Sequence, residues 1–159
     1  MRHARVASVI AVTACAVAVA IAQAADLKSP DKVKDALQLL AYVQADMASK
    51  LPNKAYSRLP HENEEFQEAA PALRDAIAGE PAAFKARIEA LLGKAQAAAN
   101  DVGALSKTND EAKISASVTA VLAALKPLNE AFPEGLRPVL GKLGPRPGRP
   151  AGGPPPDLR

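Results

Sequence analysis

The sequence predicts an all-α protein, an antiparallel four-helix bundle followed by a Pro/Gly-rich tail, and three observations carry that prediction. Apolar residues recur at steps of three and four along four successive segments. Prolines, glycines and small polar residues stand at the ends of those segments. Hydrophobic residues make up 48% of the 159, yet aromatics only 3%, and tryptophan is absent, so alanine supplies much of the apolar count. Alanine has the best helix propensity and adds little burial, which favours thin, closely packed helices over a bulky sandwich core.

The first helix is expected over residues 30–51. Ser29-Pro30-Asp31 supplies a cap residue, a proline at the first helical position and an acid near the positive dipole end. Val33, Leu37, Leu40, Val43, Met47 and Leu51 then mark one apolar face, and Pro52 ends it. Residues 52–62 read as a polar connection holding Tyr56 and His61. A second helix, 63–78, keeps its phase through Phe66, Ala70, Leu73 and Ile77, so Pro71 is expected to kink it rather than begin it, with Gly79 as C-cap. The third, 81–102, opens at Glu80-Pro81 and carries Phe84, Ile88, Leu92, Ala95 and Val102. The fourth, 110–126, is capped by Asp110 and is expected to stop at Pro127. Residues 128–143 read as an irregular flap or short turn on the bundle end.

Both ends of the chain differ from this body. Arg2, His3 and Arg5 precede an apolar run from Val6 to Ala22, and Ala22-Gln23-Ala24 offers the small residues that signal peptidase accepts. Residues 1–24 are therefore expected to be a cleaved signal peptide, with cleavage between Ala24 and Ala25, and the protein to be periplasmic or secreted. An uncleaved anchor is disfavoured because 17 mildly hydrophobic residues are at the short limit for a span. Lipidation at Cys15 is disfavoured because the apolar run continues seven residues beyond it. From Gly144 to Arg159, six prolines and four glycines in 16 residues cannot build a core, so residues 25–143 form the predicted domain and 144–159 a disordered tail.

Charge and cysteine content exclude several functions. The chain carries 20 Lys+Arg and 17 Asp+Glu. Cleavage would remove two arginines, and the tail holds three more against one acid, leaving the helical body near neutrality. No basic face follows a phosphate backbone, so nucleic acid is not an expected partner. Cys15 is the one cysteine, so a mature chain would lack disulfides, thiol catalysis and haem bound through C-x-x-C-H.

Candidate ligands are few. His61 is the only histidine and Met47 the only methionine after the signal segment, and one of each can ligate copper(I) or haem iron. At their positions, a solvated loop histidine and a core methionine account for both. His61-Glu62-Asn63-Glu64-Glu65 lacks the second histidine of the metalloprotease motif, and its acids suit a helix N-terminus. There is no phosphate-binding glycine loop and no nucleophile elbow, so an enzyme is not expected. Pro147-Gly148-Arg149-Pro150 forms one P-x-x-P, which after an export signal reads as a soluble terminus.

Within the predicted second and third helices, Leu73-Arg74-Asp75-Ala76, Gly79-Glu80-Pro81-Ala82-Ala83-Phe84-Lys85-Ala86 and Gly93-Lys94-Ala95-Gln96-Ala97-Ala98-Ala99-Asn100-Asp101 form a continuous pattern. This stretch, Phe66 to Val102, resembles the last helical hairpin of the periplasmic four-helix-bundle cytochromes of the cytochrome c′ type. In that family a Gly-Lys stretch leads to the cysteine pair and histidine that hold haem; here Gln96, Ala99 and Asn100 occupy those places. Cytochrome b562, which holds haem through one Met and one His, is similar to a comparable degree. The resemblance implies the bundle architecture; the covalent haem ligands are missing, the hairpin falls third rather than last, and no site residue is transferred.

These readings together predict an exported, non-enzymatic bundle without a cofactor that binds a partner protein or small ligand in the cell envelope. The alternatives are a metal or haem carrier using His61 and Met47, and an envelope adaptor with the tail reaching outward. The exported protein is expected to begin at Ala25, which intact mass checks; a diacylated Cys15 or a retained Met1 would overturn the assignment.

Overall fold

A computed structural model describes residues 27–108 and 110–143. The proposed signal segment with Cys15 and its Ala24–Ala25 cleavage site, and the tail from residue 144, lie outside these residues. Four helices account for most of the described chain: α1 Pro30–Lys50, α2 Leu59–Ala76, α3 Ala82–Leu105 and α4 Glu111–Glu130. Short 3₁₀ turns stand at Tyr56–Arg58, Glu134–Leu136 and Leu140–Lys142. Each helix packs on the next in sequence, α1 on α2, α2 on α3 and α3 on α4. The short links make consecutive helices antiparallel neighbours. Contact between α1 and α4 is sparser, and the segment after α4 folds back so that both of its 3₁₀ turns rest on α1.

The expected apolar faces become the core. Val33, Leu37, Leu40, Val43 and Met47 from α1 meet Phe66 and Leu73 from α2, Ile88 and Leu92 from α3, and Ile114, Val118, Val121 and Leu125 from α4, all fully buried or nearly so. Each such side chain contributes roughly 1.5–3 kcal/mol on burial, whereas a buried alanine offers only about the one-methylene value of 0.8 kcal/mol. The interior alanines, among them Ala36, Ala70, Ala95 and Ala99, therefore matter for spacing more than for burial. Phe132, just past α4, is 1% exposed and meets Phe84 edge to face, with ring centroids 5.8 Å apart and planes at 86°. That contact seals the end of the bundle where α3 begins and α4 finishes.

Helix boundaries differ from expectation in three places. First, α2 begins at Leu59 rather than at residue 63, with Pro60 among its first two residues, where its missing N–H is tolerated. His61 thus lies in the first turn of a helix and not in a loop. Second, α4 runs through Pro127 to Glu130. Pro127 and Pro71 are both exposed, so the carbonyl groups that lose a partner face water, while Leu128 remains fully buried on the opposite side. Pro71 accordingly lies inside a continuous α2, as its unbroken apolar phase predicts. Third, α3 continues to Leu105, and α2 closes through Ile77 before Gly79 is reached, so Gly79 is not its C-cap.

Capping also divides. Asp110 caps α4, its Oδ1 accepting from the Lys113 N–H at 3.1 Å. Ser29 occupies the N-cap of α1, and its carbonyl accepts from the Val33 N–H at 3.1 Å, but its side chain makes no cap hydrogen bond.

Two glycines of α3 separate helix propensity from packing. Gly93 is exposed, and a Cβ there meets nothing within 4 Å. Gly103 is buried against α2, and a Cβ there would stand 2.9 Å from Asn63 Nδ2. Gly93→Ala is expected to stabilise the protein by about 0.8–1 kcal/mol, the propensity difference. Gly103→Ala should forfeit that gain or destabilise, because Asn63 must move. Urea unfolding of the two variants checks the contrast.

Candidate functional site

Helix phase determines which polar residues face inward. With α2 starting at Leu59, the inward positions run Leu59, Glu62, Phe66, Ala69, Ala70 and Leu73. Glu62 therefore falls in an apolar stripe, and only 5% of it is exposed. It faces the last turns of α1, where Lys50 Nζ lies 3.3 Å from its Oε1. Its other oxygen, Oε2, is buried and has no hydrogen-bond partner. Asp46, one turn before Lys50, and Glu65, one turn after Glu62, complete a group whose carboxylate oxygens lie within 4.8 Å of one another.

Burial is the main cause that pushes the Glu62 carboxyl above the ordinary glutamate range; Lys50 opposes the shift, while the charges of Asp46 and Glu65 add to it. The pair with Lys50 thus compensates only part of the cost of placing a carboxylate there.

His61 stands on the solvent side of the same turn. Its imidazole is 69% exposed, with Nε2 3.3 Å from Glu65 Oε1 and Nδ1 3.8 Å from Glu64 Oε2. Met47 is fully buried within the apolar core. The two sequence candidates therefore occupy opposite environments: the thioether fills the interior, and the imidazole adjoins Glu64 and Glu65, acids that suit the helix N-terminus.

Gln96 and Asn100 tie α3 to α2. Gln96 accepts from Arg74 Nη2 at 2.6 Å and donates to Gln67 Oε1 at 2.8 Å. Gln67 donates in turn to Asn63 and Asn100, each at 3.2 Å, and Arg74 also pairs with Glu89 at 3.0 Å. Ala99 is fully buried between these polar positions and the core.

At the opposite end of α1, a cleft of about 280 Å³ opens between Lys34 and Gln38 and the segment after α4. Leu136, Arg137, Val139 and Lys142 line its other wall. Arg137 pins this wall by donating to the carbonyls of Phe132 at 2.8 Å and Glu130 at 3.1 Å, which lie at the negative end of α4. Val139 and Leu140 are 60% and 46% exposed, the large apolar side chains left open among the described residues.

A second hollow, lined by Tyr56, Ser57, Ser106, Thr108, Glu111 and Ile114, is polar. Its Ser106 and Thr108 hydroxyls donate to the carbonyls of Gly103 and Leu105, at 3.0 and 2.7 Å, and so close the end of α3. Beside it, Lys54 pairs with Glu111 at 2.9 Å and fastens the α1–α2 link to the start of α4.

No family model matches the chain, and no curated protein or solved structure matches it. The described helices include none long and apolar enough to cross a membrane.

The pH dependence of stability reports on Glu62. A carboxyl whose pKa is higher in the folded than in the unfolded state contributes stability below the unfolded value and loses it as pH rises through the folded one. Stability relative to Glu62→Gln is therefore expected to grow as pH falls from neutrality towards the ordinary glutamate range. Urea unfolding across that range checks it; a difference that stays flat with pH would show that Glu62 titrates alike in both states.

Proposed function

We propose that this protein is an exported, non-enzymatic helical bundle that binds an acidic segment of a partner protein in the cell envelope. Export rests on the N-terminal pattern of Arg2, Arg5, the apolar run and Ala22-Gln23-Ala24. The observation that carries the binding role is the cleft at the α1 end. Its lining holds three cations, Lys34, Arg137 and Lys142, and no carboxylate, on a body whose formal charge is close to zero. Such local asymmetry steers an anionic partner even when the whole protein is nearly neutral.

The exposed side chain of Val139 adds an apolar surface to the same wall, and exposed Leu140 follows it in the chain. An acidic segment that also carries an aliphatic or aromatic residue meets both demands, with carboxylates on the cations and the apolar residue over Val139. At about 280 Å³ the cleft lies at the lower edge of the roughly 300–1,000 Å³ of small-molecule pockets. Its size therefore suits one or two side chains of a larger partner better than an enclosed ligand.

An acidic peptide with interspersed leucines, titrated into ¹⁵N-labelled protein, provides the test. Shifts are expected at Lys34, Gln38 and residues 135–143, weakening with salt and disappearing in the double variant Lys34→Glu, Lys142→Glu. Shifts scattered over the bundle, or equal binding by the charge-reversed protein, would refute the assignment.

A further inference from the structure

We propose that Asp46, Glu62 and Glu65, with His61 beside them, form a binding site for a divalent first-row metal ion where the last turns of α1 meet the first turns of α2. The helix dipole accounts for an acid near the start of α2, but not for one turned inward and 5% exposed. A buried carboxylate oxygen without a partner carries its desolvation cost uncompensated. Glu62 Oε2 is such an atom, since Lys50 approaches Oε1. With Asp46 and Glu65 alongside, three carboxylates face one ammonium group. A divalent cation held among them would offset the repulsion between these carboxylates.

The spacing suits an ion. Donor oxygens bound to one metal at about 2.0–2.2 Å stand roughly 3–4 Å apart. The three carboxylates already offer atoms within 4.8 Å of one another, so a small closure of the side chains completes the set. Glu62 and Glu65 are three residues apart on one helix and share a face, while Asp46 comes from the facing helix, so an ion would link α1 to α2.

His61 stands outside this group of three, with Nε2 3.3 Å from Glu65 Oε1 on the solvent side, where an ion would enter. Carboxylate donors suit Mn²⁺, and a neighbouring imidazole makes Zn²⁺ the second ion to test. Along α1, Asp46 lies 12 residues from Lys34, about 18 Å at the helical rise, so the site stands or falls independently of the acidic-partner cleft.

Lys50 is the natural competitor of the ion, and this makes the proposal testable without relying on loss of function alone. After removal of metal with a chelator, the purified protein is titrated with Mn²⁺ followed by the paramagnetic signal of the free ion, and with Zn²⁺ by calorimetry. One ion per chain is expected. Glu62→Gln and Asp46→Asn should each weaken binding by about tenfold or more, with circular dichroism confirming retained helix. Lys50→Met should strengthen it by about tenfold, because a neighbouring positive charge is gone. Failure of both ions to bind saturably, or Mn²⁺ affinity indifferent to Glu62→Gln and Lys50→Met in folded protein, would overturn the site and leave the cluster as a buried ion pair.

Discussion

Small residues on the inner helix faces set the distance at which everything else in this protein must fit. Ala36, Ala70, Ala95 and Ala99 are buried along with the larger aliphatic side chains, and helices meeting over such residues approach closely. Gly103 takes this furthest, for even a single added carbon would collide with Asn63 of the neighbouring helix. Among the described residues there is no cysteine to reinforce the arrangement, so stability rests on the fit of these faces. A close fit also limits where polar groups can go. Those between α2 and α3 lie at the edge of the seam and bond across it, as Arg74, Gln67 and Gln96 do.

Glu62 departs from that rule. It occupies a position that helix phase reserves for an apolar residue; Asp46 and Glu65 add to its electrostatic cost, which Lys50 offsets only in part. Replacing a buried ion pair with apolar residues is often neutral or stabilising. A bundle built only for stability has no need of this carboxylate, which is why the α1–α2 corner invites a chemical explanation. The other end of α1 has the opposite character, with positive charge spread over an open apolar wall. One helix thus carries unlike chemistry at its two ends, with Leu37, Leu40 and Val43 forming an ordinary core between them.

Much of the fold was legible because the apolar period is strong. Spacing alone places Val43, Phe66, Leu73 and Ile88 inward, and all are buried. The structure departs from expectation at two prolines. Pro60 reads as part of a connection, but a proline near the start of a helix costs little. Pro127 reads as a stop, but on an exposed face the carbonyl it leaves unpaired is open to solvent. A helix beginning at residue 63 leaves Glu62 outside the apolar pattern, so its burial does not follow from that boundary. The signal was present in Leu59, which stands three residues before Glu62 and seven before Phe66 and so extends the apolar stripe backwards. Asp46 and Lys50 could not be joined to Glu62 from sequence, because their proximity depends on how α1 and α2 dock.

The order in which the helices pack also bears on how quickly the structure can form. Each helix finds its main partner in the segment next to it in the chain, and α1 meets α4 only sparsely. Contacts between neighbours in sequence require little loop closure before they are rewarded, and bundles of this kind fold in microseconds to milliseconds. The return of the segment after α4 onto α1 is the long-range step, joining the two extremes of the described chain. A hairpin of α2 and α3, or of α3 and α4, can therefore assemble while the chain beyond it is still unstructured. The cleft at the α1 end comes into being only when the last residues arrive.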